Sequence, residues 1–319
     1  MTQKSVADKR SEREIFEDRM FELFKRVRAS KFDENFLAKV NPGLQLLIEG
    51  GEILASVKSV KADWLTEILE AERQAHLIFF GRWFNLSGFE KTLRKYGRKK
   101  VRAWKRLGLE PHFLPGVSMM SGDEYPGWKV KPEEWFYKKL VEGKLFRDVG
   151  GNLEKVTVVK LEGITVLIDT RLKPAYDGGK QIWTDDGLLG EIIETARKAG
   201  QITKYEHLQS SRFGVSANEW EMVIKPIWAA KLGLATDQVR LETTIERNVI
   251  PQMYSHMPRK DDGKTDTSVW VEEYFEARSG RLNGGDSDNG GLADVDCDDS
   301  GNHWNDRSVR PLAVLKLEN

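Results

Sequence analysis

Cysteine is almost absent from this chain: Cys297 is the only one among 319 residues. A single thiol excludes an internal disulfide framework and any cysteine-rich zinc site. Long apolar runs are missing as well. No stretch approaches the roughly 18 consecutive apolar residues of a spanning helix, and the opening MTQKSVADKRSEREIFEDRM is too polar for a signal peptide. These absences predict a protein without a membrane span, cytoplasmic as synthesised, and they leave a cellular and a viral association both open. Net charge is lacking too, since 50 Lys and Arg face 50 Asp and Glu. What is present is globular in character. Hydrophobic residues make up 39%, charged residues 31% and aromatics 10%, too apolar for a disordered chain. At roughly 150 residues per domain, the length predicts about two domains.

The neutrality is a cancellation. Residues 1–150 hold 29 basic and 22 acidic side chains, and residues 151–319 hold the other 21 and 28. The acidic excess sits in residues 283–306, which contain seven Asp and no Lys or Arg. The basic excess sits in residues 91–106 (KTLRKYGRKKVRAWKR), with nine basic residues and no acid. Such asymmetry speaks of partners, not of fold.

Periodicity divides the chain near Gly150-Gly151. Before it, residues 12–28 and 62–84 carry apolar stripes at helical spacing, and Asn41-Pro42-Gly43 marks a turn. Ser87 with Glu90 reads as a capping box opening a helix that stops before Gly108. Four prolines between 110 and 132 predict an irregular connection, followed by a short helix from Glu133 or Glu134. After it, residues 156–161 and 164–168 are β-branched runs that read as a hairpin or two adjacent strands. Helices are expected from Thr184 to Gly200 and from Ser216-x-x-Glu219, a second capping box, to Leu232, with a bend or break at Pro226. Beyond Val239 strand and loop are expected, ending in a strand over residues 310–317. The fold class is therefore α+β: a mostly helical domain over 1–150, then a domain over 151–319.

The segment 283–306, NGGDSDNGGLADVDCDDSGNHWND, is a loop by composition. Asp294-x-Asp296-x-Asp298 imitates the start of an EF-hand loop. That loop needs Gly at its sixth position and Glu at its twelfth, where this chain has Asp299 and Asn305. Calcium is thus the weaker reading, and neither metal nor other cofactor is expected. No Ser-His-Asp order, carboxylate pair or phosphate-binding loop stands out. A recognition loop rich in Asn, Asp and Ser is the stronger reading.

Here the residues carry a resemblance. Gly284 to Ala293 (GGDSDNGGLA), His303-Trp304-Asn305-Asp306 and Ser308-Val309-Arg310-Pro311-Leu312 resemble the variable region of proteins diversified by retroelements, whose fold is of the C-type-lectin kind shared with formylglycine-generating enzymes. The resemblance covers roughly residues 156–317 and is strongest over the last 50. It implies a C-type-lectin-like domain at 151–319 with a variable region at about 270–306, in which adenine-directed mutagenesis samples Asn codons and their neighbours. Trp304 lies outside that codon neighbourhood and is read as scaffold. The implied ligand face comprises Trp270, Glu272 and Tyr274; Asn283, Asp286, Ser287 and Asp288; and Asp296, Asp298, Asn302 and Asn305. Gly284, Gly285, Leu292 and Arg310 are implied as the frame. The enzyme branch uses a pair of cysteines, so the lone Cys297 implies a non-enzymatic member. The expected function is recognition of a protein or other macromolecular ligand, with no catalytic residue and an oligomeric state left open.

One motif falls outside this resemblance. Lys91, Arg94, Lys95, Arg98 and Arg102 recur at spacings of three and four along the predicted helix over 91–106. They form either a solvated face or a phosphate-neutralising surface, so nucleic-acid binding is the alternative function.

Overall fold

A computed structural model describes residues 63–169, 175–177, 180–182, 187–206, 208–254, 268–285 and 291–316. The helix expected over 12–28 and the turn at 41–43 lie outside them. Trp64–Asn319 forms one compact unit, distinct from Met1–Asp63. The domain division expected at residue 150 does not fall there. Gly150 and Gly151, both at positive φ, are the turn of a β-hairpin inside the unit, joining β3 (Leu145–Val149) to β4 (Asn152–Lys155).

The architecture is α+β. Two helices come first, α1 (Thr66–Phe80) and α2 (Ser87–Arg106). Ser87 does not cap α2; its amide instead donates to the Asn85 side chain at 2.9 Å, and Glu90 pairs with Arg94 at 2.7 Å. Glu90 is thereby engaged one turn along the helix and closes no capping box. The proline-rich stretch is also more regular than expected, because β1 (Leu109–Leu114) runs through Pro111. It lies at a sheet edge, where an imino nitrogen costs no ladder bond. After β2 (Val117–Ser118), α3 (Glu134–Val141) begins where the acidic pair after Pro132 predicts it.

Two sheets organise the unit. In the first, β1, β6 (Ile164–Asp169), β14 (Pro311–Leu315) and β9 (Val239–Leu241) lie in that order, all antiparallel. The terminal strand thus falls in the middle of a sheet. The runs 156–161 and 164–168 do not pair with each other. β6 lies between β1 and β14, while β5 (Lys160–Leu161) pairs with β2. The second sheet has the order β12-β11-β10-β3-β4, with β13 parallel to β10. Its members are β10 (Ser268–Phe275), β11 (Gly280–Gly284), β12 (Asp296–Asp298) and β13 (Arg307–Val309). A small hairpin, β7 (Ala175–Asp177) with β8 (Lys180–Ile182), stands apart.

Successive residues of these strands feed opposite cores, as the period of two requires. Leu167, Trp270 and Ala313 join one cluster with α2 and with the helices α4 (Gly187–Lys198) and α6 (Lys225–Leu232). Val166, Val271 and Leu312 join the other with α3 and α7 (Thr244–Met253). Both faces of β6, of β14 and of the first half of β10 are therefore covered, which is why β6 carries apolar residues at consecutive positions, Val166 to Ile168. The capping box at Ser216 and Glu219 forms, opening α5 (Ala217–Glu219). Pro226 does not end the helix: the chain stays helical from Ala217 to Leu232, and the bend expected there takes the form of a π-helical turn over Trp220–Ile224, immediately before the proline. Among the described residues, no helix is long and apolar enough to cross a membrane.

Candidate functional site

The 283–306 segment is held at its roots. Gly284 has no room for a side chain: a Cβ there would lie 2.2 Å from the Asp294 carbonyl and 2.9 Å from Arg247 Nη2. Arg247, buried on α7, donates through Nη2 to the carbonyls of Leu292 (3.0 Å) and Asp294 (2.6 Å), and Asn248 donates to Leu292 as well. The buried Asp294 carboxylate accepts from the Gly285 amide at 2.9 Å, and Glu133 accepts from the Val295 amide at 3.0 Å. Gly284, Leu292 and Arg310 are all buried, and Arg310 reaches the Asp169 carbonyl at 3.2 Å. Asp286, Ser287 and Asp288 lie outside the described residues.

The second arm, 296–305, meets solvent. It leaves the edge strand β12 and returns along β13, so its two ends are fixed by the sheet. Asp298 organises the turn. One oxygen accepts from Asn302 Nδ2 (2.8 Å) and the Asp299 amide (2.7 Å), and the other from Arg307 Nη1 (2.7 Å) and the Trp304 indole. Partial burial would raise the Asp298 pKa, but these hydrogen bonds, Arg307's first, hold it below the ordinary carboxylate range. Arg307 lies over the Trp270 ring, 4.7 Å from its centroid, and 5.9 Å from that of Trp304. Trp304 remains 50% exposed. It is therefore displayed, contrary to the expectation that it belongs to the scaffold.

Neighbouring contacts tie the arm to the helical side. His303 Nε2 lies 2.9 Å from Glu219 and 3.0 Å from Thr203 Oγ1. Asn305 donates to Glu206 at 3.2 Å, while its carbonyl accepts from the Tyr205 hydroxyl. The Asn218 amide donates to the Ser300 carbonyl. Asp296, at the start of the arm, is exposed and bonds only the next amide, that of Cys297, among the contacts described. Burial and the carboxylates of Asp296 and Asp298 push the Cys297 thiol up, which keeps it protonated.

The ligand face implied by the resemblance is thus split. Asp296, Asp298, Asn302 and Asn305 come together on the arm, with Trp304 and His303 added. Trp270, Glu272 and Asn283 are not part of an open face, because β10 and β11 are interior strands. Trp270 is fully buried, with its indole donating to the Val215 carbonyl at 3.2 Å. Glu272 accepts from the Leu241 amide and from Arg281 Nη2, and burial raises its pKa. Asn283 is 2% exposed, opposite Trp270 and Asp296 in the ladder. Tyr274 is half-buried between Arg278 and Arg281. Residue type could not separate the two groups, since a strand buried on both faces shows no polar side. Glu206 and Asn218 were outside the expected face and carry no local signal.

Calcium is disfavoured by the same geometry, since Asp294 turns inward to Gly285 and Asp298 is engaged by Arg307. Among the described residues, no three His, Cys, Asp or Glu side chains are placed to hold an ion. The chain matches no protein-family model. Neither a curated protein nor a solved structure resembles it significantly.

Proposed function

We propose that this is a non-enzymatic recognition protein whose C-terminal surface binds varied protein or other macromolecular ligands, and that a retroelement diversifies that surface. The observation that carries the reading is the mounting of Trp304. A half-exposed indole, fixed by Asp298 and Arg307 and flanked in the chain by the exposed His303 and Asn305, is a preorganised anchor with adaptable polar neighbours. Immobilising such an anchor beforehand lowers the entropy cost of binding. The frame beneath it is separate in kind. Gly284, Arg247, Asn248 and Asp294 leave the exposed side chains free to change without disturbing the loop roots. A C-type-lectin-like topology is part of the proposal, resting on the resemblance of 284–293 and 303–312.

Sequencing the DNA around the gene tests the diversification. The reading predicts a reverse transcriptase gene and a near-repeat of the 3′ coding sequence that differs mainly at adenines. A neighbourhood with neither would sink it.

A further inference from the structure

The basic helix α2 is not used by the surface just described. Its buried side is complete: Phe89, Leu93, Val101 and Trp104 are each at most 4% exposed. Its other side is a cationic stripe. Arg94 has Glu90 and Lys105 lies 3.8 Å from Glu110. Lys91, Arg98, Lys99, Arg102 and Arg106 are exposed and have no carboxylate within ion-pair distance among the described residues. Gly97, at φ 79° and ψ 156°, kinks the helix between Arg94 and Arg98. On either side of that kink the basic residues recur every three or four positions, so each segment keeps them on one face.

We propose that this face binds the phosphate backbone of duplex nucleic acid without reading its sequence. Like charges gathered on one face repel one another and are stabilised by a polyanion, whose neutralisation releases counterions. A bilayer is the poorer partner. An amphipathic helix enters a membrane with its apolar side, and here that side is already in the core. A single strand is the poorer partner too. Binding one normally uses aromatic platforms, but Phe89 and Trp104 are buried and Tyr96 packs on Trp104, with ring centroids 5.1 Å apart. Arginine forks at 98, 102 and 106 suit bidentate contact with phosphate oxygens.

Fluorescence anisotropy of the full chain with a labelled DNA duplex of about 20 base pairs, between about 50 and 200 mM KCl, tests this. With about five phosphates neutralised, log K should fall with a slope near −4.5 against log salt, a weakening of roughly 500-fold. The variant K91Q/R98Q/R102Q should flatten that slope by about 2.7. The control K129Q/K138Q/K231Q removes three exposed lysines elsewhere and should leave the slope unchanged. Absence of duplex binding at 50 mM salt overturns the proposal, as do equal slopes for the two triple variants. Tighter binding to phosphatidylserine vesicles or to the isolated strand than to the duplex overturns it as well.

Discussion

Trp270 and Trp304 belong to one segment of sequence and stack on the same arginine, yet they serve opposite ends. Trp270 fills a core position with no exposed surface, while Trp304 keeps half of its surface in solvent. Trp270→Ala should therefore cost about 3–5 kcal/mol in urea unfolding, and Trp304→Ala less than about 1 kcal/mol. Gly284→Ala belongs with the first. Its Cβ would meet backbone at 2.2 Å, so a loss of about 1–3 kcal/mol or more is expected by the same measurement. His112 supplies a pH dependence. Burial disfavours its charge, but the Glu72 carboxylate 2.9 Å away and Glu110 raise its pKa to about 9. Burial likewise opposes Glu72, which His112 and, to a lesser degree, His76 on α1, 3.3 Å away, bring down to about 2. A raised histidine stabilises fully below its unfolded pKa of about 6.5, and that stability is lost as pH rises through about 9. Unfolding free energy should thus fall between about pH 6.5 and 9, and His112→Gln should flatten that slope. The carboxylate acts at the other end: its contribution is present above about pH 4.5 and fades as pH falls toward 2.

Helices here are set by their first turns. The boxes Ser216/Glu219 and Thr243/Glu246 both close, each hydroxyl accepting from the glutamate amide at 3.2 Å. Ser216→Ala and Thr243→Ala should each cost about 1 kcal/mol, read as a shift in the denaturation midpoint at unchanged m. The second box opens a helix, α7, where strand and loop are expected beyond Val239, although Thr243-Thr-Ile-Glu246 carries the same spacing as Ser216-x-x-Glu219. Helices with a polar side, α2 and α4, declare themselves by the period of their buried positions, while the terminal strand does so by a short continuous apolar run. Register does not: β1, β6 and β14 pair across 50 to 150 residues of sequence, and nothing local in 156–161 or 164–168 says that the runs separate. The candidate site follows the same rule. Its polar composition marked the 283–306 loop, but which of those residues face water depends on β10 and β11 being interior strands.

At the scale of the molecule, zero net charge conceals two surfaces of opposite sign. The exposed basic side of α2 and the Asp-rich arm at 296–305 belong to one compact unit, Trp64–Asn319. They are spent on different partners in this account, a phosphate backbone and a macromolecular ligand. The recognition reading requires more than an exposed loop: its face must vary while the frame stays fixed. Urea unfolding of the double variant D296S/N305S tests that requirement most directly, with Leu282→Ala beside it. Asp296 and Asn305 are exposed on the arm, whereas Leu282 is fully buried in β11. The expected result is a stability for the double variant within about 0.5 kcal/mol of the parent, and a loss of about 2–5 kcal/mol for Leu282→Ala. A double variant that loses as much as the buried one would contradict the separation of face from frame.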